Sequence, residues 1–431
     1  MNRLYDACRS QFRSVRVIYE DIAQGFPNAV ISVSFDSISN DLYRWQRLGQ
    51  AELPIPTTLS EFNIIIHSVE FFPFTMHDSG RVSVRSTSHG EEASTSVVFG
   101  DLDFINGLGV IDNLHFVTTS SKVPGTLTNM NACEVMTVVV NYNNYAFPIL
   151  WVLIPNRLRR TYDFIMDKIS TFFGINNNPI EICTDFERRL HGSLTVSFPE
   201  TTVQTTYHSY CWALLMEAEM RGLLPFNIDV KIIFKKLIAL SCLPAEDIPA
   251  MFVEIKNSAS PAVQATLREF FDYFENAWIN GVTPRLFSFY EKLEVMTDCG
   301  VTGQVSLCQS LSIDGNIWAF TQQILKISNQ STKDFGRMQR QRRINVTPRV
   351  RLVIKRDKME RAWKMFATQK ITLSRLFQLA TVLVSEHVEM LLYRNDFTLV
   401  DCELLSPNEM ANDAEFEDFE YLIDVNDEEA E

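Results

Sequence analysis

Between residues 113 and 210, the spacing of the apolar residues switches repeatedly between the period of a strand and that of a helix. Short β-branched runs predict strands, whereas apolar residues three and four positions apart predict helices. The predicted strands cover residues 114–118, 135–140, 148–154, 181–184 and 202–207, and the predicted helices cover residues 159–173, 186–196 and 209–221. Three consecutive strands followed by alternating helices and strands indicate an α/β fold with a mixed sheet.

One acidic residue, Asp185, follows directly on the fourth predicted strand. The carboxyl ends of central strands are where α/β sheets place ligands, so Asp185 is a candidate functional carboxylate. A second interpretation is that Asp185 only caps the following helix, with Arg188 and Arg189 as surface charges. Taken alone, the residues favour the capping role.

The same stretch resembles the transposase domain of Mutator-like elements (MULE), a DDE transposase group with an RNase H-like fold. The matching segments are Phe147-Pro148 before a hydrophobic strand, Thr161-Tyr162 at a helix start, Thr184-Asp185-Phe186-Glu187 after the fourth strand, Phe198-Pro199 before the fifth, and the pair Tyr207-His208. Weaker similarity at residues 26–29, 42–44, 53–56 and 317–320 extends the resemblance over about residues 20–365. The resemblance implies an RNase H-like mixed sheet with an all-α insertion and additional N- and C-terminal helices.

The resemblance also implies where catalytic acids should stand, and two of the three are missing. DDE transposases use three carboxylates to hold two divalent metal ions. The first acid aligns with Thr118 and the third with Val305, and no acid occurs at residues 113–133 or 299–313. Only Asp185 remains, as a remnant. The expectation is a degenerate transposase without metal site or cofactor, whose ancestral Mg²⁺ or Mn²⁺ has been lost.

Two other interpretations stay open at this point. The chain could be an active Mg²⁺-dependent transposase whose acids come from displaced positions such as Asp112, Asp298 or Asp314. It could also be an interaction scaffold with no affinity for nucleic acid. The eight cysteines are scattered without a C-x-x-C pair, which argues against a zinc finger.

The remaining sequence suggests flanking regions around the core. The expected divisions are an N-terminal helical region (1–60), a β-rich lead-in (61–111) with strands at 62–74 and 81–85, the RNase H-like core (112–221), a helical insertion (222–304) and the closing helix of the core (305–330). Within the insertion, three amphipathic faces follow the helical period. They consist of Val230, Ile233, Phe234, Leu237 and Leu240; of Ile248, Met251, Phe252 and Ile255; and of Leu267, Phe270, Phe271, Phe274 and Trp278.

Charge is concentrated near the C-terminus. A basic segment with an amphipathic helix (331–394) precedes an acidic tail (395–431) that we expect to be disordered; the tail holds 14 acids and no Lys or Arg. The arginines suit phosphate contacts, and the segment alone fits a DNA contact, a nuclear-import signal or a solvated linker helix. The resemblance favours nucleic acid and implies a nuclear location. The candidate DNA-binding residues are Arg337, Arg340, Arg342, Arg343, Arg349, Arg351, Lys355 and Arg356. The longest apolar run, residues 145–155, is too short to span a bilayer, so no membrane association is expected.

Two roles are open for the acidic tail. It either competes with DNA for the basic segment, because residues 333–364 carry 12 bases and 3 acids, or it stays solvated and only improves solubility. A tethered tail acts at a high effective concentration. Deleting residues 395–431 should therefore tighten binding to duplex DNA at low salt, with the difference shrinking as salt rises. Binding measured by fluorescence anisotropy checks this, and equal affinities of full-length and truncated protein at low salt would exclude autoinhibition.

Overall fold

The computed structural model describes residues 1–79, 84–87, 95–109, 111, 113–119, 134–142, 145–173, 179–184, 188–292, 316–342 and 350–393. The chain divides into two compact units. The first unit consists of residues 1–203 and 300–347, and the second unit consists of residues 204–299 and 348–431. Both units are therefore discontinuous in sequence.

A mixed sheet of seven strands is the centre of the architecture. The strands are β1 (Val84–Thr87), β2 (Ser96–Gly100), β3 (Asn113–Thr119), β4 (Glu134–Tyr142), β5 (Tyr145–Ile154), β6 (Glu181–Thr184) and β7 (Thr202–Thr205). Their order across the sheet is β1-β2-β5-β4-β3-β6-β7. β3, β4 and β5 form an antiparallel meander, β2 and β1 continue it antiparallel, and β6 runs parallel to β3. The predicted α/β class with a mixed sheet is confirmed.

Helices make up most of the rest of the described chain. Those before the end of β7 are α1 (Asn2–Arg9), α2 (Val15–Gln24), α3 (Pro27–Ser32), α4 (Phe35–Ala51), α5 (Leu59–Ile66), α6 (Leu102–Gly107), α7 (Arg159–Phe173) and α8 (Arg188–Ser197). Those after β7 are α9 (Tyr207–Met220), α10 (Ile228–Ala239), α11 (Ile248–Ser258), α12 (Pro261–Tyr273), α13 (Pro284–Phe287), α14 (Ile317–Gln339), α15 (Val350–Ala367) and α16 (Leu373–Tyr393). Within the described residues, none of these helices is both long and apolar enough to cross a membrane.

Apolar side chains cover both faces of the central strands. On one face, Met136 of β4 packs in a cluster with Ile165 of α7. On the other face, Trp151 of β5 packs in a cluster with Phe62 of α5 and Trp318 of α14. Because successive residues of a strand point to opposite faces, a strand buried on both sides must be apolar throughout. This explains the continuous apolar run of β5.

One predicted strand in the lead-in is wrong. The run at 62–74 was expected to be extended, but the chain forms α5 and then a 3-10 turn at Phe72–Thr75. A capping arrangement starts the helix: the Thr58 hydroxyl accepts from the Glu61 amide at 3.0 Å, and the Glu61 carboxylate accepts from the Thr57 amide at 2.6 Å. These contacts satisfy amides at the helix start, and they outweigh the strand preference of the β-branched run at 64–66.

The described part of the second unit after Thr205 is helical, as the periodicity of residues 222–304 predicts. The three amphipathic faces are buried. α15, which carries part of the basic segment, packs with this insertion: Trp363 of α15 donates through Nε1 to the Cys242 carbonyl at 2.9 Å. The indole is only 2% exposed. The insertion and the C-terminal helices thus form one folded body.

Candidate functional site

The edge of the sheet where β3 and β6 end is the place that the sequence assigns to a functional site. β3 and β6 are parallel, with Phe116 opposite Thr184. Thr118 lies two residues further along β3, opposite Met136 of β4. β4 runs antiparallel, so its first residue, Glu134, lies at the same edge. The structure therefore places Thr118 and Glu134 near the point where the chain leaves β6.

Several predicted site residues cannot be placed. Asp185, the predicted remnant acid, and Val305, at the position of the third acid, lie outside the described residues. The displaced candidates Asp112, Asp298 and Asp314 also lie outside them. The helix expected to carry the third acid begins at Ile317 in the described chain, where the Asn316 side chain accepts from the Ala319 amide at 2.9 Å.

Thr118 is the one predicted active-site position that the structure describes. Its side chain is half-buried and shares the strand face of Phe116 and Leu114, which belong to the core cluster beneath α7. A neutral hydroxyl at this position lacks the negative charge that a divalent metal ion requires from its ligands. The Thr118 hydroxyl is therefore a poor substitute for a carboxylate as a ligand of a divalent metal ion.

A carboxylate that sequence reasoning missed, Glu134, lies at this edge. Its side chain is 1% exposed. The Tyr162 hydroxyl donates to Oε1 of Glu134, and Arg157 Nε donates to Oε2 at 2.9 Å. A charged partner and a hydroxyl donor compensate for the loss of hydration on burial. Each carboxylate oxygen thus has a structural contact, and the arrangement ties α7 and the end of β5 to β4.

The described residues do not supply a metal centre at this edge. Among the positions that the structure covers, no group of three or more His, Cys, Asp or Glu side chains could hold a metal ion. Thr118 and the bonded Glu134 do not form the carboxylate set that the resemblance would require for Mg²⁺ or Mn²⁺. We derive no metal-dependent step from this edge.

The residues of the basic segment belong to both units. Arg337 belongs to α14 and pairs with Asp334, Nη1 to Oδ1 at 3.0 Å. Arg340 and Arg342 are exposed just beyond the helix in the first unit. Arg351, Lys355 and Arg356 belong to α15 in the second unit, although the structure does not describe their side chains, and Arg343 and Arg349 lie outside the described residues. The predicted cluster is thus divided between two folded bodies.

The pair Tyr207-His208 belongs to a helix and not to the predicted strand. β7 ends at Thr205, and Thr206 caps α9 by accepting the Ser209 amide at 3.2 Å. Tyr207 is buried, and burial raises the pKa of its hydroxyl well above the ordinary value. The predicted strand at 202–207 is therefore two residues too long, because a capping threonine stops it.

A second polar cluster in the first unit surrounds His77, whose side chain is 1% exposed. Burial lowers the pKa of His77, and the charges of Asp101 and Asp78 and the side chain of Asn329 partly oppose this shift. Asp78 joins neighbouring segments: its carboxylate pairs with Lys333 at 2.8 Å and accepts the Ser14 amide at 2.9 Å. The role of Asp78 is structural, because these contacts connect α14 to the N-terminal helices.

Acidification should destabilise the first unit through His77. Since the folded pKa of His77 is lower than that of an unfolded histidine, near 6.5, the unfolded chain takes up the proton first. The stabilising contribution is complete above the unfolded pKa and is lost as the pH falls towards the folded pKa. Stability should therefore fall between about pH 7.5 and 5.5. Melting temperatures at both pH values test this, and the His77→Gln variant should show a smaller pH-dependent drop; an equal drop would assign the effect to other groups.

No protein-family model matches the chain, and the comparison with curated proteins finds no match.

Proposed function

We propose that the chain is a catalytically degenerate protein derived from a MULE-type transposase, with an RNase H-like core, that binds DNA or protein in the nucleus. The strand order carries the proposal. In an RNase H-like sheet the first strand is central, the second and third extend antiparallel on one side, and the fourth lies parallel on the other. The strands β3, β4, β5 and β6 have this order and these directions.

The proposed loss of catalysis is supported by the chemistry at the sheet edge. Thr118 stands where the resemblance places the first catalytic acid, and a hydroxyl is a poor substitute for a carboxylate on a hard divalent cation. Glu134 lies at the same edge, but its two oxygens bond Tyr162 and Arg157. Neither residue offers the open, charged oxygen ligands on which two-metal chemistry depends.

A nuclease and strand-transfer assay tests this proposal. Purified protein with Mg²⁺ or Mn²⁺ should leave plasmid and oligonucleotide DNA uncut, as in a protein-free control. The matched variant is Asp185→Ala, which removes the remnant acid. Cleavage by the unmutated protein that disappears in Asp185→Ala would contradict the loss of catalysis and favour the active enzyme with displaced acids at Asp112, Asp298 or Asp314.

One observation favours a protein-binding scaffold as the second candidate. Arg337, a predicted DNA contact, is paired with Asp334, and the remaining basic residues are divided between the two units. The ion pair with Asp334 makes Arg337 less available for a phosphate contact. Failure of the full-length and tail-deleted proteins to bind duplex DNA at low salt would favour the scaffold.

A further inference from the structure

The outer face of α10 is apolar although it is exposed to solvent. Ile228 is 78% exposed and Ile232 is 46% exposed. Because an α-helix has 3.6 residues per turn, these two positions lie on one side of the helix, and Lys236 follows them one turn further on. We call Ile228, Ile232 and Lys236 the α10 stripe. It belongs to the second unit.

The opposite side of α10 already packs in the core of the second unit. The buried residues of this helix are Val230, Ile233, Phe234, Leu237, Ile238 and Ala239. Apart from Asp229 and the lysines, every residue of α10 is apolar. A single exposed isoleucine needs no explanation, but a helix that is apolar on all sides is normally covered on all sides. Ile228 and Ile232 therefore suit a partner that the described residues do not provide.

The α10 stripe determines what kind of partner fits it. Its two isoleucines favour large apolar side chains, and its lysine favours a carboxylate. Over its whole length, α10 carries three lysines and one acidic residue, Asp229. These lysines need not lack other contacts, because an ammonium group has three donors and one contact leaves the others available. The fitting partner is an acidic segment that also carries large apolar residues.

The acidic tail contains a segment with this chemistry at residues 413–427, which we call the docking segment. It has no Lys or Arg. Its acidic residues are interspersed with large apolar ones, namely Phe416, Phe419, Tyr421, Leu422, Ile423 and Val425. Phe416, Phe419 and Ile423 are spaced at the helical period, so that an amphipathic helix would present them on one side. Apolar residues at this spacing are typical of segments that bind a groove through one face.

The tail follows directly on a helix that packs against α10. That helix is α16, which ends at Tyr393 and belongs to the second unit, like α10. Residues 394–415 connect it to the docking segment, and a random chain of this length spans about 25 Å. α10 itself is about 18 Å long. A tethered segment acts at an effective concentration on the order of millimolar, which favours the tail of the same chain over that of a second copy.

We propose that the docking segment binds the α10 stripe of its own chain. Phe416 and Phe419 cover Ile228 and Ile232, and neighbouring carboxylates of the tail approach Lys236. This contact goes beyond the proposed function, because it involves no DNA. It also gives the tail a role that differs both from competition for the basic segment and from solubility alone.

Hydrogen exchange of the full-length protein, followed by mass spectrometry, tests the contact. Amides of the docking segment should exchange at least about tenfold more slowly in the unmutated protein than in the stripe variant, Ile228→Gln with Ile232→Gln. The matched control, Ile64→Gln with Val196→Gln, changes two aliphatic side chains on α5 and α8 that are each 69% exposed. It should leave the exchange of the tail unchanged. Equal exchange in the unmutated protein and the stripe variant would overturn the proposal.

A binding measurement gives a second, independent readout. A fluorescein-labelled peptide of residues 411–431 is titrated with the protein that lacks residues 395–431, and anisotropy reports binding. The peptide should bind this truncated protein at least about tenfold more tightly than the full-length protein, whose own tail occupies the stripe. The stripe substitutions should weaken binding to the truncated protein at least about tenfold. A peptide with Phe416→Ala and Phe419→Ala should lose as much, and this arm stays decisive if the stripe variant misfolds.

The remaining outcomes identify other partners for the tail. Equal peptide binding by the truncated protein with and without the stripe substitutions would overturn the proposal. If Arg340→Gln with Arg342→Gln then abolished binding, the tail would be assigned to the basic segment. A failure of the peptide to bind the truncated protein would also overturn it. A tail-dependent dimer in sedimentation, lost in the stripe variant, would replace the intramolecular contact by one with a second copy. None of these measurements contains DNA, so a failure of the proposed DNA binding would leave them unaffected.

Discussion

Replacing Trp318 by alanine is expected to lower the stability of the first unit by about 4–5 kcal/mol, at the upper end for a core aromatic. Trp318 is fully buried, and its ring contacts Phe62, Phe74 and Phe71 at centroid distances of 5.5, 5.9 and 6.0 Å. Its Nε1 also donates to the Pro54 carbonyl at 2.7 Å. Truncation would therefore leave a large cavity, lose several ring contacts and remove the donor of a carbonyl.

The measurement is a thermal melt followed by far-UV circular dichroism. This signal monitors secondary structure, so it remains usable when a tryptophan is replaced. A loss of this size should lower the melting temperature of the affected transition by about 10 °C or more. Trp318→Phe retains most of the ring and should cost about 1–2 kcal/mol, mainly through the lost hydrogen bond. The control Ile64→Ala, at a side chain 69% exposed on α5, should change stability by less than about 0.5 kcal/mol. A Trp318→Ala melt close to that of the control would show that α14 is not anchored through this residue.

The parts of the fold that the sequence predicts correctly have a clear local pattern. The strands β3, β4 and β5 follow from short β-branched or apolar runs, and the helix α7 follows from apolar residues at helical spacing. The three helical faces of residues 222–304 are buried as expected, because each repeats the helical period over several turns. Such patterns are local, so neighbouring residues are sufficient to recognise them.

The errors arise where a few capping contacts or distant partners decide the outcome. The β-branched run at 64–66 fits a strand, yet the capping contacts of Thr58 and Glu61 start a helix there. The packing of α15 against the insertion includes the hydrogen bond between Trp363 and Cys242, which are 121 residues apart. Such a contact has no periodic signal along the chain. Contacts between distant residues also decide that the basic segment, which is continuous in sequence, belongs to two units.

Prediction of the candidate site from the sequence is limited in the same way. The sequence predicts the sheet edge, because strand ends follow from the strand predictions, and the resemblance proposes Thr118 as the residue at the first acid position. It does not identify Glu134, which follows directly on the acid-free stretch at residues 113–133. Its role depends on Tyr162 and Arg157, which reach it only after the sheet has formed. The one available signal was an acid at the start of an apolar strand.

Glu134→Ala is expected to cost about 3 kcal/mol, because it leaves the Tyr162 hydroxyl without its carboxylate acceptor in a fully buried position and opens a small cavity. Arg157 should contribute little to this loss, since its side chain is 43% exposed and can be rehydrated. Chemical denaturation measures the free energies of unfolding. The control is Glu200→Ala, at an exposed residue, and its stability should lie within about 0.5 kcal/mol of that of the unmutated protein.

A double-mutant cycle separates the two contacts of Glu134. The coupling between Glu134→Gln and Tyr162→Phe should be about 1.5–3 kcal/mol, the range for a hydrogen bond to a charged group. The coupling with Arg157→Gln should stay below about 1 kcal/mol, because that partner is solvent-exposed. Melting with and without Mg²⁺ then distinguishes a structural carboxylate from a metal ligand. A structural Glu134 predicts the same melting temperature in both, whereas stabilisation by Mg²⁺ that disappears in Glu134→Gln would show that this edge still binds a metal ion and that the proposed loss of catalysis is wrong.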